Sequence, residues 1–597
     1  MRFNSTAELG ALFVGSGSAQ FKKNATLTNG SVGTGGVLDI DVNTLTFNTG
    51  DFAFNDNSNF VMRISREATD EYGNVNSTGY GKLVFDGGTL NIRNNVKLDL
   101  TIDYGLQTAE AGSVFQLVDG NVTGSQKFVF ENNRYSLTEE TCSGGSGICY
   151  RLVQTSTGGQ VAEEEAGNQN QINTAEAFLD GELFEYGTKI FDVAEHLDAL
   201  SQKKGGSRPY LNALTAVAPD VTGAMTRQPI ALQSKISNTL SARLNGLMGS
   251  MGSSSRTYRE IQKMYGRSGG SPYRSRFMRS DDYYRRAGYY DQDDQPVTRP
   301  RPAYRRRVEP GSPEAVEMTS ERKRWAKRKT TYSQPRNFGL WAQAFYNTAD
   351  YLSTNKPDGF SGDTNGFAFG ADMQLFDVFA VGLGYASTTT TLDTLQRSTD
   401  VTGDSFFLYG MYKPSDWFVS TVLNTTSMSY EESKDLSGMT VSDKYDGSSF
   451  GASVMFGKDL KTWTPAVGLR YVTADRDAHK DEIGQDISGI STNVMTLVAE
   501  GRFNRDFAQT NDSLWHSEFS GALTYDLTAS GEDAVVNLPN GSMYTVKGDD
   551  FDPLGIELGA SIAYLWGEHV DVSAGYNLEW RPDYMSHTLT AVFRYSF

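Results

Sequence analysis

From Asn337 to the C-terminus, hydrophobic and polar residues alternate almost one for one through segment after segment. In the last one, His587 to Phe597, Leu589, Ala591, Phe593, Tyr595 and Phe597 fall on one face. Thr588, Thr590, Val592, Arg594 and Ser596 fall on the other. A period of two is that of a β-strand, whose successive side chains point to opposite sides. The pattern predicts twelve strands, near 338–349, 363–375, 378–392, 402–413, 416–431, 445–457, 462–476, 490–505, 514–528, 552–566, 569–581 and 586–597, with ends good to a few residues. The connections at 376–377, 413–416, 457–461 and 567–568 are short, whereas those around 350–362, 432–444, 477–489 and 529–551 are long and polar. Strands with one apolar and one polar face, joined by alternately tight and long turns, are the pattern of an outer-membrane barrel with lipid outside and a polar lumen. The fold class expected is therefore mainly all-β, with a twelve-stranded antiparallel transmembrane β-barrel over residues 336–597.

Upstream the pattern changes twice. Residues 1–154 carry short alternating segments between Gly, Asn and Asp turns: 36–41, 45–47, 82–86, 89–93 and 97–102, with 112–120 read as a strand ending in the turn Asp119-Gly120. None can bury a core alone, but stacked rungs would, which predicts a β-solenoid, with a sandwich as the alternative because the period is irregular. Residues 155–250 shift to helical spacing, with Ala175, Phe178 and Leu179, then Ile190, Val193, Ala194 and Leu197, then Ile236, Leu240, Leu244 and Leu247. Pro209, Pro219 and Pro229 divide that stretch into separate helices.

Residues 251–335 are different again. From Gly252 to Pro335 lie 20 of the 54 Lys and Arg but only 10 Asp and Glu, among Tyr, Gly, Ser and Pro. Such a composition buries too little apolar surface to fold alone and is expected to be a mostly disordered linker. A short helix at Ser312–Lys329 is the exception, with Ser as N-cap, Pro next, acids early and bases late. Setting that stretch's plus 10 against the whole chain's minus 18 leaves the remainder at about minus 28. Runs such as Arg305-Arg306-Arg307 could meet nucleic acid, anionic lipid or lipopolysaccharide phosphates. The solvated linker, with a processing site, is the favoured reading, and no nucleic acid is expected as partner.

Composition supports the β reading: 61 Gly, 30 Tyr and 33 Phe against 16 Pro suit tight turns and aromatic belts. No apolar run approaches the roughly 18 residues of a membrane helix, which leaves a barrel open. The start, Met1 to Thr6, has no basic region followed by an apolar run, so an upstream part carrying the secretion signal is expected. Cys142 and Cys149 flank a Gly/Ser loop without nearby histidine and are read as a small structural disulfide in an oxidising compartment. Asp39 and Asp41 could touch calcium, but a turn edge is favoured. The five histidines, His196, His479, His516, His569 and His587, have no metal-ligand spacing, and no nucleophile elbow or phosphate loop appears. No catalytic, cofactor or metal residue is nominated, and a non-enzymatic protein is expected.

Taken together the chain resembles an autotransporter of the type V secretion class. Asn337 to Phe345 resembles the family's first barrel strand; Phe593, Tyr595 and Phe597 resemble its C-terminal signal for the barrel-assembly machinery. Ala175, Leu179, Asp180, Leu197, Leu200, Tyr210, Leu214 and Pro219 resemble its helical region, and Leu232–Leu247 the helix that threads the barrel. Gly87 to Asn91 with Val114 to Asp119 resembles the last rungs of its β-helical passenger. The resemblance implies a monomer in the outer membrane, with its passenger at the cell surface. Its partners would be outer-membrane lipid, the barrel-assembly machinery, periplasmic chaperones and its own passenger. A surface adhesin with a barrel anchor and a porin-like channel are the alternatives. The chain departs from the family in the basic stretch before the first strand, so Glu314–Lys329 rivals Leu232–Leu247 for the lumen.

Overall fold

The computed structural model describes residues 1–221 and 338–597 of the 597, apart from 70–74, 77, 107–112, 125, 206, 352–358, 376–377, 461, 510–512, 529–532, 549–551 and 567–568. The basic stretch and both candidate lumen helices lie outside the described residues.

Twelve antiparallel strands close into a barrel: β1 (Phe338–Tyr351), β2 (Phe360–Leu375), β3 (Phe379–Thr394), β4 (Arg397–Tyr412), β5 (Trp417–Asp435), β6 (Thr440–Lys458), β7 (Trp463–Arg476), β8 (Ile490–Gln509), β9 (Ser513–Thr528), β10 (Leu554–Trp566), β11 (Val570–Arg581) and β12 (Tyr584–Ser596). The seam between β1 and β12 is paired from Gly339 opposite Ser596 to Tyr351 opposite Tyr584, so no strand edge is left open to lipid. Leu383, Phe406, Leu408, Phe519, Leu523 and Leu589 stand exposed on the outer face, while Asn347, Thr364, Asp372, Arg470 and Thr524 are buried on the inner one. Near the end that holds Phe338 and Phe597, rings pair around the outside, as with Phe379 and Tyr412 (4.7 Å between centroids) and Trp515 and Tyr564 (4.8 Å). Towards the other end, outer tyrosines bond polar neighbours: Tyr346 donates to Asp363 (2.8 Å) and Tyr385 to Asp404 (2.5 Å). Amphipathic rings at two heights mark the two borders of an apolar band.

Inward rings lie over glycines of the next strand. Gly366 faces Phe345 and Gly370 faces Trp341 across the β1–β2 ladder; a Cβ on Gly366 would come within 2.2 Å of the Phe345 ring. The missing side chain is what lets the ring lie flat on the wall.

The connections at the Phe338 end are all short. The other end is mixed: 395–396, 436–439 and 582–583 are tight, whereas 477–489 and 529–553 are long. The long loop expected over 432–444 is therefore corrected, since β5 and β6 run through most of it. Its charges were read as loop polarity, but Glu432 and Lys434 alternate inward and are buried in ion pairs. The two long connections contribute a small sheet of four strands, 479–480, 486–487, 534–537 and 543–546.

Residues 1–154 form two facing sheets. One has six strands, all paired in parallel; the other has eight, parallel until the final antiparallel hairpin of Tyr135–Glu140 and Ile148–Gln154. Successive segments stack residue over residue, as where Phe47 lies between Leu27 and Phe85 in adjacent strands. Between the sheets lie fully buried Phe21, Phe47, Phe52, Phe54 and Phe60, with Phe47 and Phe85 stacked at 4.6 Å. At one corner Asn57 and Asn95 both take positive φ (58° and 55°), and Asn95 donates its amide to Asn57 at 2.7 Å. The strand expected to end at Asp119-Gly120 instead continues to Thr123. Gly120, at φ 122°, accommodates an irregularity after which pairing resumes at Asn121 opposite Thr89.

Four helices follow: α1 (Gly158–Glu164), α2 (Gln169–Ala175, extended by a wider turn to Asp180), α3 (Lys189–Gln202) and α4 (Ser207–Val217). Thr157 and Asn168 cap α1 and α2 in reciprocal capping boxes with Gln160 and Gln171. Pro209 sits in the first turn of α4, where its missing N–H is harmless, and Pro219 follows its end.

Candidate functional site at the barrel mouth

The inner wall is a ladder of compensated charge. Arg470 pairs with Glu557 (2.5 Å), Arg502 with Glu500 (2.7 Å), Arg581 with Asp526 (2.7 Å) and Arg594 with Asp372 (3.0 Å). Trp341 donates its indole N–H to the Tyr409 hydroxyl at 2.9 Å, which donates in turn to Asp372 at 3.3 Å. A wall of donors and acceptors suits a polar lumen; lipid could not satisfy it.

At the mouth, away from Phe338 and Phe597, the four helices sit on the barrel's long connections. One buried cluster joins Phe178, Val193, Ala194, Leu197, Tyr210 and Leu214 of the helices to Leu436, Ile487, Val536, Leu538 and Tyr544 of the connections. Polar contacts set the register. Asn170 both donates to the Lys547 carbonyl (3.0 Å) and accepts from its N–H (2.8 Å), as a neighbouring strand would. Asn173 donates to the Thr545 carbonyl (3.0 Å), and His196 contacts the Leu436 carbonyl (2.6 Å). Lys189 pairs with Glu482, whose carboxyl is lowered by that bond first and by the Ser442 N–H second.

Where the chain leaves α4, the barrel grips its backbone. Arg397 donates to the carbonyls of Thr215 (3.2 Å), Ala216 (3.1 Å) and Ala218 (2.6 Å), Gln485 to that of Val217 (3.1 Å) and Arg476 to that of Asp220 (3.1 Å). Arg397 is itself held by Glu432 at 2.9 Å, and Gln485 by the Tyr544 hydroxyl at 3.1 Å. Behind them Lys434 lies 3.6 Å from Glu432 and 4.0 Å from Asp481, and burial raises the Asp481 carboxyl against that attraction.

On the other side the helices close onto the rungs. Gln202 donates to the Ile102 carbonyl (2.6 Å) and accepts from its N–H (3.1 Å), so it extends the edge of the strand Lys97–Ile102. Arg134 lies buried between Asp198 and Asp180. Asp180 also accepts from the N–H groups of Gly158 (2.7 Å) and Gly159 (2.8 Å) at the start of α1. Burial pushes the Asp198 carboxyl up to about 6, opposed by Arg134 and the Gln202 amide.

Phe593, Tyr595 and Phe597 all point outward on or beside β12, at the end opposite the mouth. Tyr595 and Phe597 meet edge to face at 5.0 Å, Phe597 lies 5.6 Å from Phe338, and its N–H donates to the Phe338 carbonyl at 3.0 Å. Cys142 and Cys149 are joined as a disulfide across the final hairpin of the rungs. Of the calcium candidates, Asp39 accepts from Gln20 (2.6 Å) and Asp41 pairs with Lys22 (3.2 Å). Among the described residues no three of His, Cys, Asp and Glu converge on a point. Sequence reasoning missed the mouth residues Arg397, Gln485 and Arg476, because their partners are backbone carbonyls far away in the chain. The hairpin from Ala534 to Val546 did carry a signal, Asn540-Gly541 between two β-branched segments.

Residues 340–577 match the family model described as the autotransporter beta-domain. The chain is 26% identical over 205 residues to Outer membrane protein B of Rickettsia prowazekii (strain Madrid E), and 24% over 204 residues to that of Rickettsia rickettsii. Each alignment takes in 31% of this chain but only 12% of the relative's length. Similar solved structures include the translocator domain of the autotransporter NalP from Neisseria meningitidis, with a TM-score of 0.38, 12% identity, and coverage of 47% of this chain and 96% of that one. Another is the beta domain of the Bordetella autotransporter Brka, at 0.35 and 16%, covering 44% and 100%.

Proposed function

The C-terminal part of this chain is an autotransporter β-domain of the outer membrane, and on that premise we propose that it anchors its own upstream passenger at the cell surface and assists its export. The observation that carries the reading is the mouth: helices contiguous with the upstream rungs are seated on the barrel's long connections and gripped by Arg397, Gln485 and Arg476. A polar lumen walled by paired charges offers the route, and folding outside the cell supplies the drive, since the chain carries no nucleotide-binding motif.

In this reading residues 1–154 are the membrane-proximal rungs of a β-helical passenger, 155–250 the helical linker, 251–335 a basic linker and 336–597 the translocator. The parallel stacking of the rungs supports the first assignment, because each rung offers an edge on which the next can form. Phe593, Tyr595 and Phe597 are read as the signal to the barrel-assembly machinery, with periplasmic chaperones escorting the unfolded chain. The role is transport and anchoring, without catalysis.

The test is membrane fractionation with a heat-modifiability gel and external protease, on the full chain and on one lacking Phe597. The expected result is an outer-membrane protein that migrates faster unheated, with residues 1–221 digested from outside and the shift lost without Phe597. A soluble, unshifted chain would refute the barrel reading. A shifted barrel whose upstream part stays protected would leave a channel and remove export.

A further inference from the structure

Five backbone carbonyls, those of Thr215, Ala216, Val217, Ala218 and Asp220, are taken up by three side chains from separate parts of the mouth. Arg397 opens β4, Arg476 ends β7, and Gln485 lies in the connection after it. These carbonyls belong to the last turn of α4 and the residues just beyond it. The last four carbonyls of a helix have no partner within it and together carry the negative end of its dipole. Two guanidiniums and an amide answer them, and guanidinium can only donate. The grip is braced from behind: Glu432 holds Arg397 at 2.9 Å, Lys434 stands by Glu432 at 3.6 Å, and Tyr544 holds Gln485 at 3.1 Å.

We infer that the barrel mouth is a receptor for the folded C-terminal end of α4, a latch that closes only once that segment is helical and then stops the chain from sliding back into the lumen. The inference rests on the export reading above and deepens it. Every acceptor is main chain, so the latch does not depend on the side chains of α4. It does depend on their conformation, because neighbouring helical carbonyls point the same way along the axis and can share one guanidinium. In an extended chain, successive carbonyls turn to opposite sides and cannot converge on Arg397. A segment still threading the pore thus passes unheld, and the same segment, once folded outside, is caught. The stretch adjoining the barrel is then fixed while the remainder crosses, so contraction of the folding rungs draws on chain still inside.

The test uses the full chain in the outer membrane of a Gram-negative host, as wild type, Arg397→Gln, Arg397→Lys and Gln485→Ala. The first readout is amide hydrogen exchange of purified protein. Exchange over residues 211–218 is expected about tenfold faster in Arg397→Gln and a few-fold faster in Gln485→Ala. Arg397→Lys, which keeps the charge, should lie nearer wild type, with β4 amides unchanged throughout. The second is a pulse–chase of the arrival of α1–α4 at the surface, read by external protease, expected several-fold slower in Arg397→Gln and restored by Lys. Wild-type exchange over 211–218 in both the Gln and Ala variants overturns the latch. Faster exchange with unaltered arrival overturns its role in export. Should Arg397→Gln fail the heat-modifiability shift, Gln485→Ala decides both readouts. If wild type never exposes α1–α4, the export reading falls while the exchange data still decide whether the latch binds.

Discussion

Asp198 makes the junction between the rungs and the helices sensitive to acid in an unusual direction. Its carboxyl rises from 3.8 to about 6, chiefly because burial penalises the anion, with Arg134 and the Gln202 amide opposing. Arg134 stays charged throughout, so Asp198 is the member of the pair that titrates. A carboxyl whose folded value lies above its unfolded one binds protons more tightly in the native state. Stability therefore rises as pH falls through 6 and the gain is complete below about 4. The full span of roughly two units corresponds to about 3 kcal/mol, and the part reached by pH 4.5 to about 2 kcal/mol, or roughly thirtyfold in an opening equilibrium. Hydrogen exchange of the α3 amides at pH 7.5, 6 and 4.5, corrected for intrinsic rates, is expected to show that increase in protection in wild type. In Asp198→Asn it should vanish. Asp481, raised by burial, and Glu482, lowered by Lys189, titrate in both proteins and cancel in the difference. Identical pH slopes in the two proteins would refute the assignment of the shift to Asp198.

Replacing Cys142 and Cys149 together by Ser opens a short loop and should cost about 2.5 kcal/mol of chain entropy, measured as a lower thermal midpoint for residues 1–221 that reductant reproduces in wild type. Phe54→Ala removes a fully buried ring packed on Phe52, Phe60 and Phe128; a loss of about 3–5 kcal/mol is expected, read by denaturant unfolding, with the barrel's heat-modifiability unchanged. Gly370→Val places a side chain where the Trp341 indole lies, so the fraction of chain showing the heat shift should fall several-fold, while Gly10→Val, which meets nothing within 4 Å, should leave it unchanged.

The barrel was legible because a wall between lipid and a polar lumen imposes a period of two on every strand, sustained here through twelve long segments in succession. Each of its twelve strands lies where the alternation placed it. The same alternation ran on through Glu431 to Asp435, but the eye reads charge as loop, and only the inward pairing of Glu432 and Lys434 reveals a strand. The helices were legible from Ala175, Leu197 and Leu214, which are indeed buried. What those faces pack against was not, since a third of their cluster comes from residues beyond 435. The mouth shows why some sites leave no trace in a sequence: an arginine that reads backbone meets the same atoms at every position of the chain.

The strands themselves are longer than a membrane requires. β5 and β6 have 19 residues each and β8 has 20, against roughly 9–11 for a crossing. At about 3.4 Å per residue and a tilt near 40°, 19 residues climb roughly 49 Å, about twice the height of the apolar band. That side of the wall therefore stands clear of the lipid as a collar, carrying Glu431, Asp435 and Lys444 into water. The platform on which the helices rest is raised above the lipid, and the part of the chain upstream of the barrel meets its surroundings from a pedestal.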